Sequence, residues 1–188
     1  MREETKSENE LGSGNPSISA KTGRHFRLIV FNIEKSANVA MLMRSAYAMG
    51  CCEALVVGRK TFKVTGATGA YQFLPWRHFY RLEEAVTVCR AAGDRIYGVE
   101  IGGRSLTETR FDRDAAFILG NEGKGLAEAQ RFCDEIVTIP QWGGVPSLNV
   151  AAAAAIVMYE FQKQQGLAPA EVCGQAYFDA NYPATRAR

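Results

Sequence analysis

The sequence predicts an α/β domain, a parallel sheet flanked by helices, on three observations. Short apolar, β-branched runs recur along the chain, stretches of helical spacing separate them, and glycines stand at the ends of both. Strands that alternate with helices form parallel sheets, whose interior strands are covered on both faces and therefore read as unbroken apolar runs.

In chain order, Arg27–Asn32 is the first strand, and a helix follows over Ser36–Met49 with Ser36 as candidate cap and Gly50 as stop. Glu53–Val57 is the next strand, closed by Gly58, and Leu82–Ala92 is a helix that ends at Gly93. Arg95–Val99 and Ala115–Leu119 read as buried strands, Gly125–Cys133 as a short helix, and Glu135–Ile139 as a further strand. Ser147 to about Gln165 is an alanine-rich helix that Ser147 can cap. At 188 residues the chain holds one domain, over 25–166. Residues 1–24 are a polar, flexible leader, and 167–188 form a tail that packs on the domain or stays partly ordered.

Composition narrows the function. A net charge of +2, from 22 basic and 20 acidic residues, excludes wholesale coating of nucleic acid but allows a local basic patch. The five cysteines contain no C-x-x-C pair and have two histidines for company, so no metal site and no disulfide framework is expected. With no membrane-spanning run and no secretory signal, the chain reads as cytoplasmic. Neither H-E-x-x-H nor G-x-S-x-G occurs. The loop GNEGKGL over Gly120–Leu126 fails as a phosphate loop, because Gly125 follows Lys124 where Ser or Thr would hold magnesium.

Two strand ends nevertheless carry glycine-bearing loops, at Gly120 and at Pro140–Gly144. Ligands of α/β sheets bind beyond the carboxyl ends of strands, so these loops predict one crevice, with Ser147 and Asn149 beside it. The plainer reading is two tight connections that use glycine for its backbone freedom alone.

Three blocks then resemble the SpoU/TrmH branch of the SPOUT RNA methyltransferases. Asn32–Gly50 places Asn38 and Arg44 at the family's polar positions. LGNEGKGL over Leu119–Leu126 is similar to L-G-x-E-x-x-G-L, and IPQWGGVPSLNV over Ile139–Val150 is similar to I-P-M-x-G-x-x-x-S-L-N-V. The likeness runs from Arg27 to Gln165, with two departures: Ala40 stands for the usual glycine and Gln141 for the usual methionine.

The resemblance implies a C-terminal part threaded into a trefoil knot, a homodimer, and transfer of a methyl group from S-adenosylmethionine to a ribose 2′-hydroxyl of RNA. Transfer RNA is favoured over ribosomal RNA by the compact build. By position, Gly120, Ile139, Ser147 and Leu148 would hold the cofactor, with Val99 and Glu100 as a further wall. A larger side chain at Gly120 is expected to block the cofactor and leave the fold intact. Arg44, Glu122 and Asn149 would surround the reacting hydroxyl, with Asn38 in support. Arg44 would grip phosphate or developing alkoxide charge, since a guanidinium stays protonated. The alternative for Arg44 is an ordinary surface pair with Glu34. RNA contacts would come from Arg59, Lys60 and Lys63, and from Arg77 in the cluster of Trp76, His78 and Arg81. A base methyltransferase and a catalytically silent RNA-binding dimer are the alternative functions.

Overall fold

A computed structural model describes residues 25–58 and 73–166. The leader, the tail and the basic residues Arg59, Lys60 and Lys63 lie outside the described residues. Six strands are joined in one sheet: β1 (His25–Phe31), β2 (Glu53–Val57), β3 (Trp76–Phe79), β4 (Arg95–Ser105), β5 (Asp114–Leu119) and β6 (Glu135–Thr138). Their order is β3-β2-β1-β5-β4-β6, and every pairing is parallel. Among the described residues three helices accompany them: α1 (Ser36–Ala48), α2 (Leu82–Ala91) and α3 (Val150–Gln164), with a 3₁₀ segment over Ala127–Phe132.

Period-two alternation divides the apolar residues of the strands between two cores. From β5, Ala115, Phe117 and Leu119 join Leu42 and Met43 of α1 and Val157 and Phe161 of α3 on one face. Ala116 and Ile118 of the same strand point the other way, to Ala85 and Cys89 of α2 and Ala129 of the 3₁₀ segment. Phe117 is the centre of the first core, its ring 5.2 Å from that of Phe111, 5.6 Å from Phe161 and 5.9 Å from Phe26.

The sequence reading placed no strand at Trp76–Phe79, where β3 forms the sheet edge beside β2. Its four residues are all half-buried, so no unbroken apolar run announces it. β4 runs six residues beyond the expected Val99, with a register shift against β6 between Val99 and Arg104. Ser147 does not cap α3: the helix begins at Val150, and the Asn149 side chain accepts from the Ala151 and Ala152 N–H groups. Ser36 does not cap α1 either; Lys35 holds the cap position without a side-chain bond.

Because β1, β5, β4 and β6 are neighbours and all parallel, their carboxyl ends lie along one edge of the sheet. Asn32, Gly120 and Ile139, which follow β1, β5 and β6, are therefore brought to a common rim, beside Glu100 at the register shift of β4. We expect Phe117→Ala to lower the unfolding free energy by about 3–5 kcal/mol, since it leaves a cavity at the centre of the aromatic cluster. The denaturant midpoint, with an unchanged m-value, is the measurement.

Candidate functional site

The rim opens into a cavity of about 690 Å³, within the size of small-molecule sites. Gly120, Ile139, Ser147 and Leu148 line it, as do Val99 and Glu100 at the register shift of β4. Asn38, Glu122 and Asn149 line it too, so the three sequence blocks converge on one place. Arg44 does not: it is exposed on α1 and outside the lining. Lys35, Lys124 and Gln141, none of them expected as site residues, are in the lining.

A chain of hydrogen bonds explains the convergence. The Glu122 carboxylate accepts from the Glu34 N–H at 2.9 Å, the Lys35 N–H at 3.0 Å and the Asn38 side-chain amide at 2.8 Å. Those donors stand at the start of α1, where helix N–H groups lack internal partners and the dipole favours an anion. The Asn38 oxygen in turn accepts from the Asn149 amide at 3.0 Å. The Asn149 oxygen accepts from the Ala151 N–H at 2.9 Å and so closes the start of α3. Glu122, Asn38 and Asn149 thus tie the glycine loop to the first turns of two helices.

Electrostatics follow from these contacts. Burial pushes the Glu122 carboxyl up, but the bonds from Glu34, Asn38 and Lys35 outweigh it and hold the group below the usual carboxylate range. A carboxylate so engaged is a poor proton acceptor, which fits it for holding rather than for base catalysis.

The glycine loop is clamped from two sides. The Asn121 side-chain oxygen accepts from the N–H groups of Gly123 at 2.9 Å and Lys124 at 3.0 Å, and Gly125 N–H returns to the Asn121 carbonyl at 2.9 Å. The Glu100 carboxylate accepts from the Leu126 N–H at 2.8 Å. A Cβ on Gly120 would run into the backbone of Gly125 and Leu126. The expectation that a larger residue at Gly120 leaves the fold intact is thereby corrected, because the clash is with the loop itself.

The remaining expected residues divide. The ion pair of Arg44 with Glu34 does not form; Glu34 accepts instead from the Asn121 amide at 3.1 Å. Arg77 is not free for RNA, since both arms of its guanidinium meet the Glu53 carboxylate. Sequence alone could not show this, because the pair joins adjacent parallel strands across 24 residues. Cys52 carries a thiol that burial pushes up to about 11, and Cys89 one pushed to about 12, so neither offers a thiolate near neutral pH. Among the described residues no group of three His, Cys, Asp or Glu is placed to hold a metal ion, and no helix is long and apolar enough to cross a membrane.

Comparison with known proteins adds the following. Residues 25–159 match the SpoU rRNA Methylase family. The chain is 29% identical over 164 residues to an uncharacterized tRNA/rRNA methyltransferase of Synechocystis, covering 84% of this chain and 43% of that protein. It is 30% identical over 145 residues to a tRNA (guanosine(18)-2′-O)-methyltransferase of Thermus thermophilus, covering 73% of this chain and 74% of the relative. Among solved structures, the SpoU methyltransferase AviRb of Streptomyces viridochromogenes, in complex with AdoMet, superposes with a TM-score of 0.68 at 28% identity over 76% of this chain and 58% of that one. The chain spans under half the length of several of the curated relatives it matches.

The clamp gives a pH dependence with a definite sign. Glu122 is held below its ordinary value, so its stabilising effect is full above the unfolded carboxylate value of about 4.3 and is lost as the pH falls through the lower folded value. We expect Glu122→Gln to flatten the decline of Tm between about pH 5 and 2.5 relative to the parent, and to leave the protein less stable at pH 7. Thermal melts across that range, monitored by circular dichroism, are the check.

Proposed function

The chain belongs to the SpoU rRNA methylase family, and on that premise we propose that it is an S-adenosylmethionine-dependent RNA methyltransferase acting on a ribose 2′-hydroxyl. The observation that carries the reading is the meeting of Asn38, Glu122 and Asn149 with Gly120, Ile139 and Leu148 around one cavity. Family membership brings with it the knotted C-terminal threading that the resemblance implied. Transfer RNA is the favoured substrate, supported by the Thermus relative, most of whose length the chain matches. Free cysteines and an RNA substrate suit the reducing cytoplasm.

The cavity fits the cofactor on its own chemistry. Leu119, Ile139 and Leu148 supply apolar walls for a nucleoside, and the side-chain oxygen of Gln141 is buried with no donor to meet it. When bound, S-adenosylmethionine supplies a methyl group activated on a sulfonium. The chain's own part is to hold and orient. Glu122, with three donors already on it, keeps Asn38 and the loop in place and does not take the hydroxyl proton, which leaves to solvent. Lys35 and Lys124 put two ammonium groups at the mouth, suited to the phosphates that flank a target ribose. Orientation of this kind accounts for a large part of such an acceleration.

Arg44 acts from a second copy in this reading. On the outer face of α1 it lies in one stripe with Met41 and Tyr47, both exposed. The neighbouring α3 exposes Ile156 and Tyr159, and the two helices pack side by side against the same core. An apolar two-helix face of this kind supports a homodimer, and pairing through it would set each Arg44 at the contact with the other chain. The guanidinium then grips RNA phosphate or the developing alkoxide.

Two outcomes are expected. Arg44→Ala should bind S-adenosylmethionine within about twofold of the parent by calorimetry, yet lose about a hundredfold or more in single-turnover methyl transfer, and Arg44→Lys should not restore it. Transfer within a few-fold of the parent would remove Arg44 from the reaction. Ile156→Glu should shift the mass seen by light scattering from two chains to one; an unchanged mass would place the interface elsewhere.

A further inference from the structure

The loop over 142–149 is exposed at every position. Trp142 at its start is 91% exposed, more than any other large apolar side chain among the described residues. It follows directly on Gln141, a lining residue of the cavity, and the same loop returns to the lining at Ser147 and Leu148. Trp142 itself is not in the lining, so its ring stands outside the cavity and beside the mouth. Gly143 and Gly144 follow it, with open space where a Cβ on either would stand. At such exposure both faces of the indole are open to solvent. The ring adds nothing to either core, and it keeps a large apolar surface wet. It is also on neither α1 nor α3, the helices of the apolar two-helix face.

We propose that Trp142 is a stacking platform for an unpaired base of the RNA, next to the ribose that enters the cavity. This rests on the methyltransferase reading. A ribose brought into the cavity carries its neighbouring nucleotides to the mouth, where this loop stands. Lys35 and Lys124, both exposed and both in the lining, suit the phosphates there. They leave the bases without a partner. An open indole supplies one, since every base has a flat face, and aromatic rings beside basic groups are how proteins hold single strands. A protein partner fits the loop less well. Rings that anchor protein interfaces stand within a packed patch that excludes water, whereas Trp142 is followed by two glycines on a loop exposed throughout. In the block similar to I-P-M-x-G-x-x-x-S-L-N-V, Trp142 occupies the first open position, so the ring is a property of this chain and not of the pattern.

Titration of the full chain with three probes tests the proposal: a short oligoadenylate, an oligomer of the same length and backbone without bases, and S-adenosylhomocysteine. Trp142→Ala is expected to bind the oligoadenylate about tenfold or more weakly than the parent, the usual loss when a stacking ring becomes alanine. It should bind the abasic oligomer as the parent does, because phosphate contacts do not involve the ring. Trp142→Phe should stay within a few-fold of the parent and Trp142→Leu should not, which separates stacking from plain apolar burial. The emission lost in Trp142→Phe isolates this indole from Trp76; without RNA it should be open to iodide, and the oligoadenylate should quench it. S-adenosylhomocysteine affinity and Tm should match the parent in every variant, which verifies cavity and fold. Equal oligoadenylate binding by parent and Trp142→Ala overturns the proposal, as does an equal loss on both oligomers or no binding by the parent. An indole shielded from iodide in the RNA-free chain overturns it too, and a smaller mass for Trp142→Ala by light scattering assigns the ring to a second copy instead. Failure of the parent to bind S-adenosylhomocysteine overturns the methyltransferase reading, and the proposal falls with it.

Discussion

The structure depends on one carboxylate placed at the start of one helix. Glu122 reaches the N–H groups of Glu34 and Lys35 and the amide of Asn38, and through Asn38 it is joined to Asn149 and the start of α3. Each bond alone is modest, about 1 kcal/mol, with bonds to a charged group somewhat stronger. Their arrangement matters more than their sum. Asn38 is buried, and with either neighbour removed one of its polar atoms would be left without a partner. The network therefore holds as a unit, and it fixes the distance between the glycine loop after β5 and the helix that carries Arg44.

A second carboxylate repeats the device on the other side of the loop. Glu100 accepts from the Ile101 and Leu126 N–H groups and braces the turn that Asn121 folds upon itself. Acidic residues in a cleft invite a reading as acids and bases. Here both are occupied by main-chain donors, and the loop they hold is braced by the chain's own bonds. A cavity wall fixed in advance loses less conformational freedom on binding and leaves more of the contact energy for affinity.

Much of this was legible in the sequence, and the limits have physical reasons. Interior strands such as Phe117–Leu119 are covered on both faces and betray themselves as apolar runs, while α3 announces itself through alanine. β3 was missed because it is an edge strand of half-buried residues, and its Arg77 looked like an RNA contact until Glu53 was found across the ladder. The start of α3 was misplaced because Ser147 was read as its cap, whereas it is Asn149 whose side chain stands over the Ala151 and Ala152 N–H groups. The site's residues could be named from their blocks, but not their bonds. Glu122 lies 84 residues from Asn38, and Asn149 lies 111 residues from it. No local periodicity encodes pairings at that separation; they follow from the strand order, which gathers four carboxyl ends on one rim.

The same bonds sort the cavity's residues into those that hold and those left to meet a ligand. Glu100, Glu122, Asn38, Asn121 and Asn149 are engaged with backbone or with one another. Gly120 is required by the loop's own backbone, since any Cβ there meets Gly125. What remains around the opening is two ammonium groups, on Lys35 and Lys124, and an apolar wall of Leu119, Ile139 and Leu148. A phosphate suits the first and a heterocycle the second. Leu119 serves the core and the wall at once, whereas neither ammonium group is needed to keep the sheet or the helices together. The charged part of the ligand's chemistry is thus written in groups the fold does not use for itself.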